Sequence, residues 1–224
     1  MTSRSDIQRG SMRALKTAGR AFTILAAVAS ANAATLNWNQ PSGAFNVGTN
    51  WTPNGVPGAA DTARVANGGT CSIPFISPEP AVRMFEVTGS GSNIQATGLL
   101  SCDDLTITQG GAATFSGIWT VNDELLVGSS AGFARLDNVD GFMPCRIATL
   151  GTIAGAAGEL LVTNRGFVNV TQGPLTVGRA GTGELNLQND GFISVGENGD
   201  GIVKLAELAG SVGTLNYGNG IVAT

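Results

Sequence analysis

The chain has 224 residues, of which 42% are hydrophobic, only 12% are charged and none is histidine. This apolar content excludes a disordered linker, because such a chain can bury a core. Without histidine, Ser-His-Asp and Cys-His catalytic arrangements and histidine-ligated zinc are also excluded.

Residues 1–33 are predicted to be a signal peptide. A basic stretch that includes Arg13 and Arg20 precedes the apolar run 21–33, which ends in the small-residue sequence Ala31-Asn32-Ala33. A basic flank, a short apolar run and such a cleavage site are typical of secretory signals. The run is shorter than the roughly 20 residues that span a bilayer. We therefore expect a mature protein that begins near Ala34 and is secreted or displayed on a bacterial cell surface, without membrane insertion by the mature segment.

Removal of that segment leaves seven basic and fifteen acidic residues, a net charge of −8. Nucleic-acid affinity depends largely on cationic contacts to phosphates. Nucleic acid is therefore excluded as an expected partner.

The cysteines Cys71, Cys102 and Cys145 are too few and too widely spaced for a disulfide framework. Three buried thiols that pack as small apolar side chains are favoured. One bridge with one thiol left over is the alternative.

Residues 34–98 contain Trp38, Trp51 and several prolines, among them Pro53 and Pro57. Proline cannot donate a hydrogen bond to a strand ladder and is suited to edges and caps. This segment is predicted to form an N-terminal cap and irregular first coils.

Residues 99–224 contain a repeat whose period, roughly 25 residues, lies in the range typical of solenoids. Its clearest copy is Leu175–Gly178, then Leu185–Leu187, then Gly191–Val195. A Gly-Phe or Gly-Ile step recurs in each copy, at Gly141-Phe142, Gly166-Phe167, Gly191-Phe192 and Gly220-Ile221. Alternating apolar and polar residues predict strands with one buried face, and X-Gly pairs such as Asp190-Gly191 predict sharp corners with positive φ.

Three strands and three corners per copy predict an all-β fold, a right-handed parallel β-helix (β-solenoid) of about 25-residue coils with an irregular N-terminal cap. Phe142, Phe167 and Phe192 are expected to stack in register in its interior, as are the repeated leucines. An antiparallel hairpin array or β-sandwich is the alternative, which strand spacing alone does not exclude. The repetitive solenoid, 99–224, ends inside a coil.

Two parts of the sequence resemble a known group of proteins. Asn50-Trp51-Thr52-Pro53-Asn54-Gly55-Val56-Pro57-Gly58, followed by Asp61-Thr62-Ala63, resembles the opening of bacterial autotransporter passengers. The clearest repeat copy is similar to the repeat of autotransporter and PEP-CTERM-associated surface proteins. The resemblance covers about 36–222 and implies a cell-surface or secreted β-helical protein, adhesive or structural, with no catalytic residues. The 224 residues depart from this group in that they include neither an outer-membrane barrel nor a sorting tail.

Other motifs have simpler interpretations than a catalytic or metal site. Gly128-Ser129-Ser130-Ala131-Gly132 matches the nucleophile elbow but lies at a repeat corner and has no histidine base. Adjacent residues on a strand point to opposite faces, so Asp103 and Asp104 are not expected to act on one substrate unless they lie on a loop. Residues 197–201 carry oxygen donors in the style of a calcium loop but lack the distal glutamate, and we interpret them as a polar loop that lengthens one coil. No catalytic, cofactor-binding or metal-binding residue is predicted, and no cofactor.

The sequence favours a non-catalytic structural or adhesive surface protein that meets glycans or a neighbouring cell surface. A polysaccharide lyase or hydrolase is one alternative. Another is a filament subunit that stacks on further copies through the open coil at 220–224, although a piece of a longer passenger explains that ending more simply.

Overall fold

The computed structural model describes residues 33–76, 78–196 and 201–224. The expected signal peptide up to residue 32 and most of the calcium-like loop, 197–200, lie outside the described residues. Apart from one 3-10 turn at Gly48–Asn50, every regular element is a strand.

The strands form two sheets in which neighbours are one coil apart in sequence. Sheet A contains β1 (Thr35–Trp38), β3 (Trp51–Thr52), β4 (Thr62–Val65), β6 (Ala81–Thr88), β8 (Leu99–Thr108), β10 (Ile118–Val127), β12 (Phe142–Leu150), β14 (Phe167–Val170), β15 (Leu175–Val177), β17 (Phe192–Val195), β18 (Val203–Leu205) and β20 (Ile221–Ala223). Sheet B contains β2 (Ser42–Ala44), β5 (Thr70–Ile73), β7 (Asn93–Ala96), β9 (Ala112–Phe115), β11 (Gly132–Val139), β13 (Ala156–Thr163), β16 (Thr182–Leu187) and β19 (Val212–Tyr217).

The predicted parallel β-solenoid is confirmed, with about seven turns. With the exception of β3, each strand of the two sheets pairs in parallel with a strand of one or both neighbouring coils. Phe142 pairs with Phe167 and Phe167 with Phe192, so the coil here has the length of the sequence repeat. Other coils differ in length: the one from Leu100 to its partner Trp119 is shorter, and the one from Glu184 to its partner Thr214 is longer.

The solenoid has three sides, of which two are joined in the middle coils. β14 pairs with the first half of β12, and β15 with its second half. The strands β8, β10 and β12 therefore run along two sides without a break, whereas later coils use separate strands. Sheet B forms the third side.

The interior consists of apolar ladders in register. In sheet B, Leu136, Leu160 and Leu185 stack on one another and are fully buried, as predicted for the leucines. The same core includes buried aromatic residues of the early coils, among them Phe85, Phe115 and Trp119. Since a single coil cannot bury its own inner face, each coil is stabilised by its neighbours.

The N-terminal end of the solenoid is covered on the side of sheet A. β3 pairs with β1 in the antiparallel direction and so closes the first rung of sheet A. Trp51, on β3, is fully buried, packs 5.0 Å from Trp38 and 5.4 Å from Phe45 between ring centroids, and donates a hydrogen bond to the Phe45 carbonyl. The tryptophan of the passenger-like motif therefore forms part of a hydrophobic cap.

Candidate functional site

The outward-facing residues of the solenoid also form ladders. Strand side chains alternate between the two faces, so residues two apart on a strand share the outer surface. Parallel pairing in register then places equivalent residues of successive coils side by side, about 4.8 Å apart. A functional surface on this fold is accordingly a column of side chains along the solenoid axis.

The phenylalanine ladder lies on the outer surface, and the expectation that it lies in the interior is wrong. Phe142 is 37% exposed and Phe167 and Phe192 are half-buried, whereas the next residue on each strand, such as Val168, is fully buried. The rings do stack in register, with centroids 5.2 Å and 4.8 Å apart along the ladder. We call Phe142, Phe167 and Phe192 the aromatic ladder.

Two isoleucines extend the aromatic ladder by one coil at each end. Ile118 pairs with Phe142 and Ile221 with Phe192. They are 43% and 55% exposed. Leu99, which pairs with Ile118 and is half-buried, continues the column by one more coil, so an apolar stripe six side chains long and one side chain wide runs along this side of the solenoid.

A polar groove borders the aromatic ladder at the corner where sheet B turns into sheet A. It is a shallow concavity of about 590 Å³. We call it the corner groove; its lining residues are Ser116, Val139, Asp140, Asn164, Arg165, Asn189 and Asp190. Asp140, Arg165 and Asp190 each lie two positions before a ladder phenylalanine.

The corner residues differ from the predicted pattern in where positive φ falls. In the X-Gly pairs it is the first residue that adopts it, with φ of 61° at Asp140, 67° at Arg165 and 61° at Asp190. The glycines are required by crowding instead: a β-carbon at Gly141 would lie 2.7 Å from the Phe115 ring. Asp tolerates left-handed backbone, but arginine rarely adopts it.

A buried asparagine anchors this corner from within. Asn138 is fully buried at the end of β11; its side-chain oxygen accepts a hydrogen bond of 3.0 Å from the Gly141 N–H. Its amide donates to the Phe167 carbonyl on the next coil at 3.1 Å. Both bonds hold backbone beside the corner groove to the buried interior.

Arg165 stands apart from the other cationic residues of the described chain. The others bind a partner on the protein: Arg83 donates a hydrogen bond to the Thr62 hydroxyl, and ion pairs are formed by Arg64, Arg135, Arg146, Arg179 and Lys204. Within the described residues Arg165 forms no ion pair and no side-chain hydrogen bond, and it is exposed. Its guanidinium is therefore free to donate to a ligand in the corner groove.

The outer face of sheet B carries a charged network that is already satisfied internally. The Arg135 guanidinium bonds Asp137 at 2.6 Å and Glu159 at 3.4 Å, and the hydrogen bond to Asp137 is the main reason that its pKa is raised. Asn186 donates to Glu159 at 2.8 Å, and Asn216 to Asn186 at 2.7 Å. These groups bind one another, which leaves the face few free donors.

Asp103 and Asp104 both lie on the outer surface, so the expectation that they point to opposite faces is wrong. β8 turns a corner of the solenoid at this pair, between the buried residues Cys102 and Leu105. The next coil places Asp123 and Glu124 beside them, across a register shift.

Within the carboxylate cluster of Asp103, Asp104, Asp123 and Glu124, the pKa of Glu124 is raised. Burial raises the pKa of Glu124, and the charges of Asp104 and Asp123 raise it further. Arg146 pairs with Asp123 at 2.8 Å, and Asn122 donates to Asp103 at 3.3 Å. Among the described residues, no group of three or more His, Cys, Asp or Glu is placed to hold a metal ion.

The three cysteines are buried free thiols on the inner faces of their strands. Burial raises the pKa of all three thiols, and those of Cys102 and Cys145 reach about 12. Cys102 and Cys145 share one interior ladder, with Val121 between them. Two coils separate them, about 9.6 Å, which exceeds the reach of a disulfide.

The elbow-like segment Gly128–Gly132 lies in the bend between β10 and β11. Gly128 has φ of 77°, and the Ser130 hydroxyl shares a hydrogen bond with the Thr108 hydroxyl. Its serine therefore contributes to corner structure.

Comparison with known proteins identified no relative: no family model, no curated protein and no solved structure matches the chain. Among the described residues, no helix has the length and apolar character needed to cross a membrane.

Proposed function

We propose that the chain is an exported, non-catalytic structural or adhesive protein that acts outside the cell or on a bacterial cell surface. The observation that supports this most is the repetition of one outer surface on consecutive coils. A column of equivalent residues offers the same contact several times, so individually weak contacts add up along the solenoid.

The side-chain chemistry of the described residues favours binding over catalysis. The thiols of Cys102 and Cys145, with pKa values near 12, supply no thiolate at neutral pH. The residues of the charged network on the outer face of sheet B bind one another. The aromatic ladder and corner groove combine apolar rings with free hydrogen-bonding groups, as binding sites generally do.

Export is supported by the sequence of residues 1–33, and the passenger-like motif supports a surface location. In the described structure this motif builds the hydrophobic cap through Trp51, and Asp61 binds the backbone N–H groups of Ala34 and Gly58, both at 2.9 Å. These contacts give the motif a role at the first coil, where a passenger domain begins.

Export is tested by fusing residues 1–33 to alkaline phosphatase, which is active only after translocation. We expect activity in the periplasmic fraction and its loss in Leu25→Arg, which interrupts the apolar run. Protease treatment of intact cells that express the full chain then tests surface display. A reporter that stays inactive, or a full chain found only in the cytosol, contradicts the proposed function.

A further inference from the structure

We propose that the aromatic ladder and the corner groove together bind a neutral linear polysaccharide that lies along the solenoid axis. The inference rests on the proposed extracellular function and names the ligand class of that surface.

The first argument comes from the rings. A pyranose has apolar C–H faces and hydroxyl groups around its edge, so it binds best where an aromatic surface lies beside polar groups. Phe142, Phe167 and Phe192 supply that surface with centroids 5.2 Å and 4.8 Å apart. Their partial exposure leaves contact area for a ligand while the strands hold the rings in place.

The second argument comes from the groove just upstream of the rings. Hydroxyl groups both donate and accept, so their binding site needs donors and acceptors side by side. Arg165 supplies free donors, Asp140 and Asp190 supply acceptors, and the amides of Asn164 and Asn189 supply both. Asp190 accepts one weak bond of 3.4 Å from Asn219, and Asn189 donates to Thr163 at 3.2 Å, which leaves most of their capacity free.

The third argument concerns the backbone of Arg165. With φ of 67° this residue occupies a conformation that glycine adopts at lower energy. A side chain held at such a position despite the strain is a recognised feature of binding sites. The unpaired guanidinium is consistent with a ligand as its partner.

The charges of the corner groove and of the whole mature chain favour a neutral ligand. The groove alternates in sign along the axis, Asp140, Arg165, Asp190, and the chain after residue 33 has a net charge of −8. Polyanions are repelled by this surface, and a polycation would leave Arg165 unpaired.

The narrow, elongated shape of the apolar stripe favours a linear polymer as the ligand. A standard protein–protein interface covers about 800 Å² on each partner. The apolar stripe is one side chain wide, and the next outward column contains polar residues such as Asn169 and Ser194. Because the same groups recur on successive coils, a polymer chain along the axis meets several equivalent sites.

The test uses the purified full chain in affinity electrophoresis through gels that contain one polymer each. The neutral polymers are hydroxyethylcellulose, arabinoxylan, galactomannan and dextran, and the anionic ones are polygalacturonate and alginate. We expect retardation by at least one neutral polymer and by neither anionic one. For a retarding polymer, its oligosaccharides should bind more tightly as they lengthen from two to six sugars.

Three variants assign the binding to this surface. Phe167→Ser/Phe192→Ser should weaken binding by on the order of tenfold or more, because it removes two of the three rings. Arg165→Gly should weaken it too while it keeps or raises the unfolding temperature, since glycine suits this φ. Phe133→Ser is the matched control: Phe133 is 50% exposed on sheet B, away from the ladder, and its loss should not change binding.

Several results would overturn the proposal: no retardation by any neutral polymer, preference for polygalacturonate or alginate, or unchanged binding in Arg165→Gly. Loss of self-association in Phe167→Ser/Phe192→Ser, without glycan binding by the original chain, would make the stripe a protein interface instead. None of these results bears on export, which the reporter measures separately, so the two proposals fail independently.

Discussion

Asp61 connects the expected start of the mature protein to the first coil. One carboxylate oxygen accepts a hydrogen bond of 2.9 Å from the N–H of Ala34, and the other accepts one of 2.9 Å from Gly58. Cleavage after Ala33 would convert the Ala34 amide nitrogen into a charged α-ammonium group. The hydrogen bond would then become an ion pair that exists only in the processed protein.

We therefore predict that Asp61→Asn destabilises the chain 34–224 in a pH-dependent way. The α-ammonium group loses its proton at pH about 8, so the ion pair contributes below this pH and is lost above it. At a half-buried site the pair is worth roughly 1 kcal/mol, or about 2–4 °C in the midpoint of thermal unfolding. Calorimetry at pH 6 and pH 9.5 should show a larger effect of the substitution at pH 6.

The uncleaved chain 1–224 provides the control, because its Ala34 nitrogen is an amide and does not ionise. Asp61→Asn should have the same effect there at both pH values. Glu79→Gln, at an exposed carboxylate, controls for the general change in charge. An identical pH dependence in the cleaved and uncleaved chains would rule out the ion pair.

Sequence reasoning located the repeated phenylalanines but not the face on which they lie. Alternation fixes which residues share a face, and Phe192, Ser194 and the buried pair Ile193 and Val195 all agree with it. Which face is the inner one depends on how the chain turns at the preceding corner. There Asp190 takes positive φ and Gly191 is confined by backbone, an arrangement that the Asp-Gly pair alone does not specify.

At the scale of a strand, glycine sets how closely the sides of the solenoid approach. Gly158, Gly183 and Gly213 form one interior ladder of sheet B. A β-carbon at Gly183 would lie 2.8 Å from the carbonyl carbon of Val177 and 2.9 Å from the Leu150 oxygen. These are backbone atoms, which cannot move without disturbing the neighbouring coils.

We predict that Gly183→Ala destabilises the protein by about 3–5 kcal/mol, in the range of severe overpacking. Gly155→Ala is the control, because Gly155 has φ of 78° but no atom within 4 Å of an added β-carbon. Its cost should be about 1 kcal/mol, that of placing alanine in left-handed backbone. Urea unfolding of both variants measures the difference, and equal costs would show that crowding at Gly183 is relieved by a coil shift.

The number of strands per coil could be predicted for the later coils but not for the middle ones. Gly173 and Pro174 separate β14 from β15, and turn residues of this kind are visible in sequence. In β8 the corresponding corner is formed by Asp103 and Asp104 within one continuous strand. Neither residue marks a corner in the sequence, because the bend comes from a register shift between neighbouring coils.

The two ends of the described solenoid differ in how they are covered. At the N-terminal end, β3 covers the first rung and Trp38, Trp51 and Phe45 are buried. The last coil leaves β18, β19 and β20 without a further strand among the described residues. Its inward-facing residues are correspondingly open: Leu205 is 48% and Tyr217 64% exposed, although their ladder partners Val177 and Leu187 are fully buried.

For the isolated polypeptide 34–224, we predict end-to-end dimers rather than filaments. An uncovered apolar rung with unpaired backbone groups favours pairing with another strand. A filament needs two compatible ends, but at the N-terminal end β3 already occupies the edge of β1 in sheet A and so blocks strand pairing there. Two open C-terminal ends can meet instead, and this two-fold contact stops at a dimer. Sedimentation velocity from about 1 to 200 μM should show a monomer–dimer equilibrium.

Leu205→Lys/Tyr217→Lys should remain monomeric, whereas Ile153→Lys, at a 45% exposed site away from the end, should still dimerise. Species that grow beyond the dimer with concentration would instead support the filament alternative and require that the cap around Trp51 opens.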